Sequence, residues 1–473
     1  MMLAAQIDET RRLVSPTLDV ERRSALGQFM TPANVAEFMA SNFDDLPDEV
    51  RLLDAGAGMG ALTTAFVTEA CSRSKQPSSI DATVYEVDEQ LAAILEETLL
   101  SCADICADAG IQFSYRLIKD DYILSSAAPL LDKTRTYNCA ILNPPYGKIN
   151  SASNWRKALR SQGIETVNLY TAFVALAIQQ MEEGGEIVAI TPRSFCNGSY
   201  YEPFRRLMLD SAALVSLHVF ESRRTAFKDD GVLQENIIFK IKKGWKQNGV
   251  QLSSDVMEAR EILFSDIVRP EDKHAFIRLP IENNDLATRI QALPCTLADL
   301  GIKVSTGRVV DFRAKEHLRK MPGENTVPLI YPAHFDNGKV GGPIPDFKKH
   351  NALADNEDTA SLILPAGLYV LTKRFSAKEE KRRLVAAVYH GGRVGFENHL
   401  NYFHANGEGL SSKLAHGLCA FLNSKAVDQY FRIFSGHTQV NATDLRNLHY
   451  PSVEQLEKLA DATRIGRLGL YMA

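Results

Sequence analysis

The sequence predicts an α/β protein with a doubly wound, mostly parallel sheet, followed by a second domain of α+β type. Between residues 51 and 243, strand-like and helix-like segments alternate, which is typical of a parallel sheet with helices on both faces. From residue 301 onward, short β-like runs alternate with turns such as "MPGEN" and "FDNGKVGGP". We therefore divide the chain into a first domain over residues 1–245, a connector over 246–300 and a second domain over 301–473.

Seven runs of strand length and composition are the candidate strands of the first domain. In chain order they are residues 51–56, 82–87, 113–118, 138–142, 186–191, 214–220 and 236–243. The last two have no helical pattern between them, which indicates an antiparallel closing pair. Before the fifth run, the stretch "NLYTAFVALAIQQMEEGG" has apolar residues at helical spacing. It predicts a helix that ends at Gly184.

Composition excludes several classes of protein. Of the 473 residues, 45% are hydrophobic and 23% are charged, which is normal for a globular protein. No apolar run is long enough to span a membrane, and no secretory signal is present, so we expect a cytoplasmic protein without a membrane partner. The seven cysteines form no zinc-binding pattern, so we expect reduced thiols and no metal site. The net charge of −5 still allows a local basic groove.

The first two strands end in residues that suit a nucleotide-like ligand. The first ends in "LLDAGAGMG", where Gly56, Gly58 and Gly60 permit a tight turn and a close approach to a ligand. The same glycine pattern also occurs in turns that bind NAD and in tight turns that bind no ligand. The second ends in "VYEVD", where Glu86 or Asp88 could accept both hydroxyls of a ribose.

The third and fourth strands also end in polar and aromatic residues. Asp121 and Tyr122 could contact the amine and the ring of an adenine, although a plain surface loop explains them equally well. The fourth strand leads into "ILNPPYG". The side-chain oxygen of Asn143 and the carbonyl of Pro144 are two hydrogen-bond acceptors, and Tyr146 offers a flat ring. This set suits a planar ring with an amino group, whose nitrogen lone pair it would direct at an electrophile.

The order of four motifs resembles that of the S-adenosylmethionine-dependent amino-methyltransferases: "LLDAGAGMG", "VYEVD", "KDDYIL" and "ILNPPYG". The flanking stretches "GQFMTPANVAEFMASNF" and "NLYTAFVALAIQQMEEGGEIVAITP" resemble the gamma class, or TaqI-like group, of DNA N6-adenine methyltransferases of restriction-modification type. The resemblance covers residues 27–243 and implies a class I methyltransferase fold with a mixed, seven-stranded sheet. The stretches "KVSTGRVVDFR" and "GHTQVNATDLRNLHYP" resemble target-recognition regions, so the second domain is expected to recognise DNA.

The resemblance implies roles for individual residues. The residues expected to hold S-adenosylmethionine are Thr31, Asp54, Ala55, Gly56, Gly58, Glu86, Val87, Asp121 and Tyr122. Among these, Thr31 would cap a helix whose first amides meet the methionine carboxylate, and Glu86 would bind the ribose. The residues expected to hold the target amine and base are Asn143, Pro144, Pro145, Tyr146 and Phe227. Tyr146 and Phe227 would stack on the two faces of the base.

The expected function is therefore that of a site-specific DNA methyltransferase that modifies the N6 amine of adenine. Its partners would be double-stranded DNA and, in a restriction-modification system, a separate cognate endonuclease. Because an adenine in a duplex must leave the stack to react, we expect base flipping. The candidate DNA contacts are Lys303, Arg308, Arg313, Arg393, His437, Thr438, Gln439 and Asn441. The alternatives are an N-methyltransferase of RNA or of protein glutamine, and a non-catalytic DNA specificity protein.

Overall fold

Residue contacts in the computed structural model divide the chain into two units, residues 1–281 and 282–473. The structure describes residues 9, 30–127, 136–220, 236–280, 289–290, 292–375, 382–434 and 439–464. Three of the predicted site residues, Phe227, His437 and Thr438, lie outside these ranges. Within them, no helix is long and apolar enough to cross a membrane. Nor does the described part bring together His, Cys, Asp and Glu side chains in a group that could hold a metal ion.

One mixed sheet is the frame of the first unit. Its strands are β1 Glu49–Ala55, β2 Ser79–Tyr85, β3 Gln112–Ile118, β4 Tyr137–Leu142, β5 Met181–Pro192, β6 Ala212–Val219, β7 Asn236–Lys243, β8 Val250–Ser254 and β9 Met257–Ile262. Their order in the sheet is β3-β2-β1-β4-β5-β7-β6-β8-β9. The first five are parallel, and β7 lies antiparallel to both β5 and β6. This confirms the seven predicted strands and the antiparallel closing pair, whereas β8 and β9 were not predicted.

Eight helices accompany this sheet in the described part of the first unit. They are α1 Ala33–Ser41, α2 Ala61–Ser72, α3 Glu89–Asp108, α4 Tyr122–Ala127, α5 Asn154–Ser161, α6 Leu169–Gln180, α7 Glu202–Ser211 and α8 Phe264–Ile267. The predicted end of α6 at Gly184 is wrong. The backbone becomes extended at Met181, which already pairs with Tyr137 of β4, so the helix passes directly into β5.

The central strands are buried on both faces. In β1, Leu52 and Leu53 contribute to two different hydrophobic clusters, and Ile141 and Leu142 do the same in β4. Successive side chains of a strand point to opposite faces, so each strand is held between two layers of helices. This packing fixes the positions of the carboxyl ends of the strands, and therefore of the loops that follow them.

The two outer strands of this sheet have partly polar surfaces. In β3, the side chains of Gln112, Ser114 and Arg116 are exposed and alternate with half-buried apolar residues. In β9, the exposed residues include Glu258 and Glu261. Both outer strands therefore present polar or charged side chains to solvent.

The second unit contains two small sheets and four helices within the described residues. Its strands are β10 Lys303–Thr306, β11 Leu318–Arg319, β12 Thr326–Ile330, β13 Phe335–Asp336, β14 Lys339–Val340, β15 Ala352–Ala354, β16 Ile363–Leu364, β17 Gly367–Lys373, β18 Ala386–Gly391, β19 Val394–Phe396 and β20 Leu400–His404. One sheet has the order β10-β20-β17-β18-β14-β13 and the other β11-β15-β12-β19-β16. The helices are α9 Ser412–Leu422, α10 Lys425–Phe434, α11 Ala442–Arg446 and α12 Val453–Arg464. The predicted α+β character is confirmed.

Candidate active site

The carboxyl ends of β1, β2 and β4 open onto one cavity. Ligands of open α/β sheets bind at this edge. Nine predicted site residues line the cavity: Thr31, Gly56, Gly58, Glu86, Val87, Asp121, Tyr122, Asn143 and Pro145. Four other predicted residues, Asp54, Ala55, Pro144 and Tyr146, are not among the lining residues. The structure therefore brings together nine of the fourteen residues predicted to hold the cofactor or the target base.

The glycine turn between β1 and α2 has the left-handed backbone that favours glycine. The φ angles are +76° at Gly56, +58° at Gly58 and +89° at Gly60. At Gly60 a Cβ atom would lie only 2.9 Å from side-chain carbons of Leu95 and Thr98 in α3. Space beside Gly58 is open. The last glycine therefore serves helix packing, while the first two leave the cavity wall without side chains.

Glu86 lies at the cavity directly after β2, and two backbone amides hold its carboxylate. Gly58 N–H donates to Oε2 over 2.9 Å, and Asp88 N–H donates to Oε1 over 2.8 Å. Burial raises the pKa of Glu86 to about 7. Asp88 has a different role, because its side chain caps α3 by accepting from the N–H groups of Gln90 and Leu91. Of the two acids predicted to bind a ribose, Glu86 is the one at the cavity.

Asp54, at the end of β1, is fully buried behind the glycine turn. The Thr63 hydroxyl donates to its Oδ2 over 2.7 Å. Its Oδ1 is buried without a hydrogen-bond partner among the described residues. Burial raises the pKa of Asp54 to about 7. The neighbouring Ala55 is also fully buried. A direct contact of either residue with a cofactor stays a prediction.

Three aromatic side chains, Tyr85, Tyr122 and Phe173, form part of the cavity wall. The ring of Tyr122 lies 4.9 Å from that of Tyr85 and 5.0 Å from that of Phe173, between ring centroids. The Tyr122 hydroxyl donates to the side chain of Gln180 over 2.8 Å. These bonds and contacts hold the rings in place, so the wall is ready to receive a flat apolar or aromatic group.

Trp155 is a lining residue that sequence reasoning missed. Its indole N–H donates to Oδ2 of Asp121 over 2.8 Å. Leu124 N–H, in the first turn of α4, donates to Oδ1 of the same carboxylate over 2.9 Å. One signal was available: the chain has only two tryptophans, and this one follows the "NPPY" motif closely. Asp121 is therefore held in place from two sides at the cavity.

The side-chain amide of Asn143 has a defined orientation. Its Nδ2 donates to the hydroxyl of Thr31 over 2.9 Å, and the Tyr146 hydroxyl donates to its Oδ1 over 3.2 Å. The prediction that Thr31 caps a helix is wrong. Helix α1 begins at Ala33 with Pro32 at the N-cap position and no side-chain cap bond. The Thr31 hydroxyl accepts the amide hydrogen of Asn143 instead.

Tyr146 is half-buried and packs into the protein. Its ring lies 6.2 Å from that of Tyr170, at an interplanar angle of 80°. Burial raises the pKa of its hydroxyl well above the usual value, so the hydroxyl stays protonated and can donate to Asn143. A role of Tyr146 as a platform for the target base stays a prediction, as does that of Phe227, which lies outside the described residues.

The predicted DNA contacts of the second unit differ in their surroundings. Lys303 on β10 and Arg313 are exposed. Arg308 donates to the hydroxyl of Tyr402 over 3.2 Å and to the carbonyl of Ser361 over 3.0 Å. Arg393 forms an ion pair with Asp355. All four of these cations are exposed, and Arg308 and Arg393 are in addition bonded to neighbouring groups.

Two predicted polar contacts belong to the segment before α11. Gln439 pairs with Phe375 in an antiparallel bridge. Asn441 is the N-cap residue of α11, and the Asp444 carboxylate accepts its backbone N–H over 2.8 Å. The Asn441 amide also accepts from Arg374 over 3.4 Å. Asn441 thus has a structural role, and a contact of either residue with DNA stays a prediction.

The strand order of the first unit, with a glycine turn and polar residues at the carboxyl ends of its strands, is typical of the class I methyltransferase fold. Residues 88–227 match the family described as "Eco57I restriction-modification methylase". The chain is 46% identical over 476 residues to the type II methyltransferase M.PstI of Providencia stuartii, covering 97% of this chain and 94% of that protein. It is also 46% identical to M.BsuBI of Bacillus subtilis, covering 96% and 92%.

The chain therefore belongs to the type II DNA methyltransferases of the M.PstI and M.BsuBI kind, which are part of restriction-modification systems. Among solved structures, the cryo-EM structure of a DrdV–DNA complex has a similar fold, with a TM-score of 0.54 and 12% sequence identity. This likeness covers 100% of the present chain and 60% of the DrdV chain. A nuclease-deletion mutant of the type ISP enzyme LlaGI, in complex with a DNA substrate mimic, gives a TM-score of 0.52 at 12% identity over 97% of this chain and 56% of that one.

Proposed function

We propose that this DNA methyltransferase transfers a methyl group from S-adenosylmethionine to the N6 amine of an adenine in double-stranded DNA. The observation that carries the proposal is the fixed amide of Asn143. Its Nδ2 donates to Thr31 over 2.9 Å, and its Oδ1 accepts from the Tyr146 hydroxyl over 3.2 Å. An acceptor with this orientation beside the cavity suits an exocyclic amine.

The cavity residues fit S-adenosylmethionine. Space beside Gly58 is open, and Gly56 also lines the cavity without a side chain, so the methionine portion would lie next to this backbone. The carboxylate of Glu86 would accept the ribose hydroxyls, and the Tyr122 ring would pack on the adenine portion, with Val87 beside it. When bound, the cofactor supplies an electrophilic methyl group.

The target adenine would be held by acceptors on both sides of its amine. The Asn143 oxygen has two lone pairs, so its bond from the Tyr146 hydroxyl does not by itself exclude a bond from the amine. The carbonyl of Pro144 is the second acceptor. With both hydrogens held by Asn143 and Pro144, the nitrogen lone pair would be directed at the methyl group that the cofactor supplies, and the proton that the amine loses would pass to water. The enzyme would accelerate the reaction by positioning the reactants and by electrostatic stabilisation, without a covalent enzyme intermediate.

The two units would divide the work. The first would bind the cofactor and the flipped base, and the second would recognise the target sequence, with Lys303 and Arg313 among its contacts to the DNA backbone. Exposed cations suit contacts with phosphates, because each one releases counterions from DNA. A separate endonuclease with the same target site would be the cognate partner in the cytoplasm, where the thiols of this chain would stay reduced.

Product analysis tests the proposal. The purified protein is incubated with S-adenosylmethionine and plasmid DNA, the DNA is digested, and the nucleosides are separated by mass. We expect N6-methyladenine. A product of N4-methylcytosine would contradict the choice of base, and transfer to RNA or to glutamine in preference to DNA would contradict the choice of substrate. The absence of any transfer, with DNA binding intact, would favour a non-catalytic specificity protein.

Replacing Asn143 tests the proposed clamp directly. Asn143→Ala removes one acceptor, so methyl transfer should slow by about 10²–10³-fold, as for the loss of one preorganised polar group. Binding of cofactor and DNA should change little, because Glu86, the glycine turn and the phosphate contacts are untouched. Asn143→Asp keeps an acceptor and should retain more activity than the alanine variant. Single-turnover methylation measures the step, and near-normal turnover by Asn143→Ala would refute the clamp.

A further inference from the structure

Four segments of the second unit meet at one edge, which we call the recognition platform: residues 307–309, 374–375, 396–401 and 439–441. Backbone hydrogen bonds join them. Val440 N–H donates to the carbonyl of Arg374 over 2.7 Å, and Arg374 N–H donates to the carbonyl of His399 over 2.9 Å. Asn398 N–H donates to the carbonyl of Val309 over 2.9 Å. The platform is therefore rigid, although its segments are far apart in the sequence.

A buried carboxylate orients an exposed histidine on this platform. Glu397 is only 1% exposed. One of its oxygens accepts the backbone N–H of His399 over 2.9 Å, and the other is bonded to Nδ1 of the His399 ring. The side chain of His399 is nevertheless 44% exposed. The ring nitrogen that Glu397 does not hold is Nε2, and in the neutral imidazole with its proton on Nδ1 this atom is an acceptor.

An exposed aromatic ring stands beside this histidine. The centroids of the Phe375 and His399 rings are 5.0 Å apart, with 48° between the ring planes. Phe375 is 40% exposed, although it belongs to the rigid platform and its backbone pairs with that of Gln439. An apolar ring and an oriented acceptor therefore face solvent side by side.

We propose that His399 reads a base of the DNA target site, with Phe375 as its apolar neighbour and Glu397 as a positioning residue. The proposal rests on the proposed function, in which the second unit recognises DNA. With a single proton, placed on Nδ1, the ring offers Nε2 as an acceptor, which cannot bond a phosphate oxygen because that oxygen is itself an acceptor. A doubly protonated ring would donate to a phosphate instead, and the salt dependence of binding distinguishes these two cases. The acceptor suits an exocyclic amine, the N6 group of adenine or the N4 group of cytosine, which both face the major groove. A phenylalanine ring suits the methyl group of a neighbouring thymine.

The rigidity of the pair also favours a base over the backbone. Phosphate contacts fix the register of a protein on DNA and carry no sequence information directly. Burying a carboxylate is costly unless its oxygens are bonded. At Glu397, one of these bonds goes to an exposed ring, so the buried charge serves to hold a surface group in one orientation. Such a fixed acceptor can distinguish a base with an amine from one without it.

The test measures binding to a set of duplexes, without cofactor. The methylated site is first mapped by sequencing the DNA that the wild-type enzyme modifies. Affinity is then measured for that site and for every single base-pair change in it. His399→Ala should weaken binding to the native site by roughly tenfold or more and remove discrimination at one position. His416→Ala is the matched control, because His416 is also exposed but is bonded to a carbonyl of its own helix α9.

The salt dependence separates a base contact from a phosphate contact. For His399→Ala we expect an unchanged slope of affinity against salt. An equal loss for all duplexes with a shallower slope would overturn the proposal in favour of a phosphate contact. Unchanged affinity and discrimination would show that the platform does not touch DNA.

Two further variants test the neighbours of His399. Glu397→Gln keeps an acceptor but removes the charge, so discrimination should fall at the same position and at no other. Phe375→Ala should reduce discrimination at that position or the adjacent one. Thermal unfolding of each variant is compared with that of the wild type. If Glu397→Gln does not fold, the result for His399→Ala alone tests the proposal. If the wild type transfers no methyl to adenine, the proposed function fails, whereas the binding test remains valid on any DNA that the protein binds specifically.

Discussion

The indole N–H of Trp155 and a side-chain oxygen of Asp121 are joined by a hydrogen bond of 2.8 Å at the wall of the cavity. The other Asp121 oxygen accepts the N–H of Leu124. A carboxylate has about four lone-pair positions, so Asp121 can still accept an amine while both protein bonds are kept. In the proposed function, Trp155 would therefore set the direction in which Asp121 contacts the cofactor.

The first prediction concerns this bond. Trp155→Phe keeps an aromatic ring but removes the donor, so Asp121 is held less firmly. We expect S-adenosylmethionine to bind about fivefold more weakly, as for the loss of a hydrogen bond of about 1 kcal/mol. Calorimetry measures the affinity. Unchanged affinity would mean that the Asp121 carboxylate does not meet the cofactor. Trp245→Phe is the control, because Trp245 is exposed and packs against Lys242, away from the cavity lining.

A second prediction concerns the residue that holds Asn143. Thr31→Val keeps the shape of the side chain and removes the oxygen that accepts from Nδ2. The amide of Asn143 could then rotate, so single-turnover methyl transfer should slow by about tenfold, with DNA affinity nearly unchanged. Thr31→Ser retains the oxygen and should keep most of the activity. Equal rates for the valine and serine variants would count against an orienting role of Thr31.

Asp54 leads to a prediction about pH and stability. Its pKa is about 7 in the folded protein and near 3.8 in an unfolded chain. Between these values the folded state binds more protons than the unfolded state, so the free energy of unfolding should fall as pH rises toward 7. The asparagine of Asp54→Asn does not titrate. Denaturant unfolding measures the free energy of unfolding at each pH between about 5 and 7. Its decrease with pH should be less steep in the variant than in the wild type, by up to ~1.4 kcal/mol per pH unit. An identical slope in wild type and variant would show that this carboxyl does not titrate in the range. Glu86, whose pKa is also about 7, should account for part of the remaining slope.

The cations of the second unit give a fourth prediction. Arg313 and Arg308 are both exposed, but Arg308 is bonded to Tyr402 and to the carbonyl of Ser361. Arg313→Ala should reduce the slope of log affinity against log salt by about one, the value for one phosphate contact. Arg308→Ala should change the slope less. Gel-shift titrations over a series of salt concentrations measure both, and the reverse ranking would mean that Arg308 leaves its protein partners to bind DNA.

A fifth prediction concerns the boundary of the catalytic unit. Strands β8 and β9 complete the sheet, and Val250 and Leu252 are fully buried in its core. A fragment that ends near residue 281 should therefore bind S-adenosylmethionine, while losing sequence-specific affinity for DNA. A fragment that ends near residue 245 should melt at a lower temperature, because β6 becomes an unpaired edge. Specific DNA binding by the longer fragment would contradict the assignment of recognition to the second unit.

Much of the first unit could be predicted from the sequence, because its strands are buried on both faces and have continuous apolar runs. The sequence of β9, "MEAREI", has no such run, since this strand is an outer one with several exposed residues. The end of α6 was misplaced because the helix passes into β5 without an intervening loop. Patterns of apolar residues therefore locate buried helices and strands well. They locate exposed strands poorly, and they do not show where a helix ends when a strand follows it without a loop.

The cavity residues were predictable where a polar residue follows a strand, as with Glu86 and Asn143. The bond between Thr31 and Asn143 joins residues 112 positions apart in the chain. The bond between Trp155 and Asp121 likewise depends on how α5 packs near α4. Such contacts are determined by the folded chain, and neither residue type nor spacing in the sequence indicates them.

The polar surfaces of the two outer strands bear on how the protein behaves at high concentration. A sheet with flat, apolar outer strands could add strands from a second molecule and grow into aggregates. Here the exposed side chains of β3 include Arg116, and those of β9 include Glu258 and Glu261. Pairing β9 with the β9 strand of another copy would bring these carboxylates together and strip them of water. The outer strands therefore act against self-association of the first unit through its sheet.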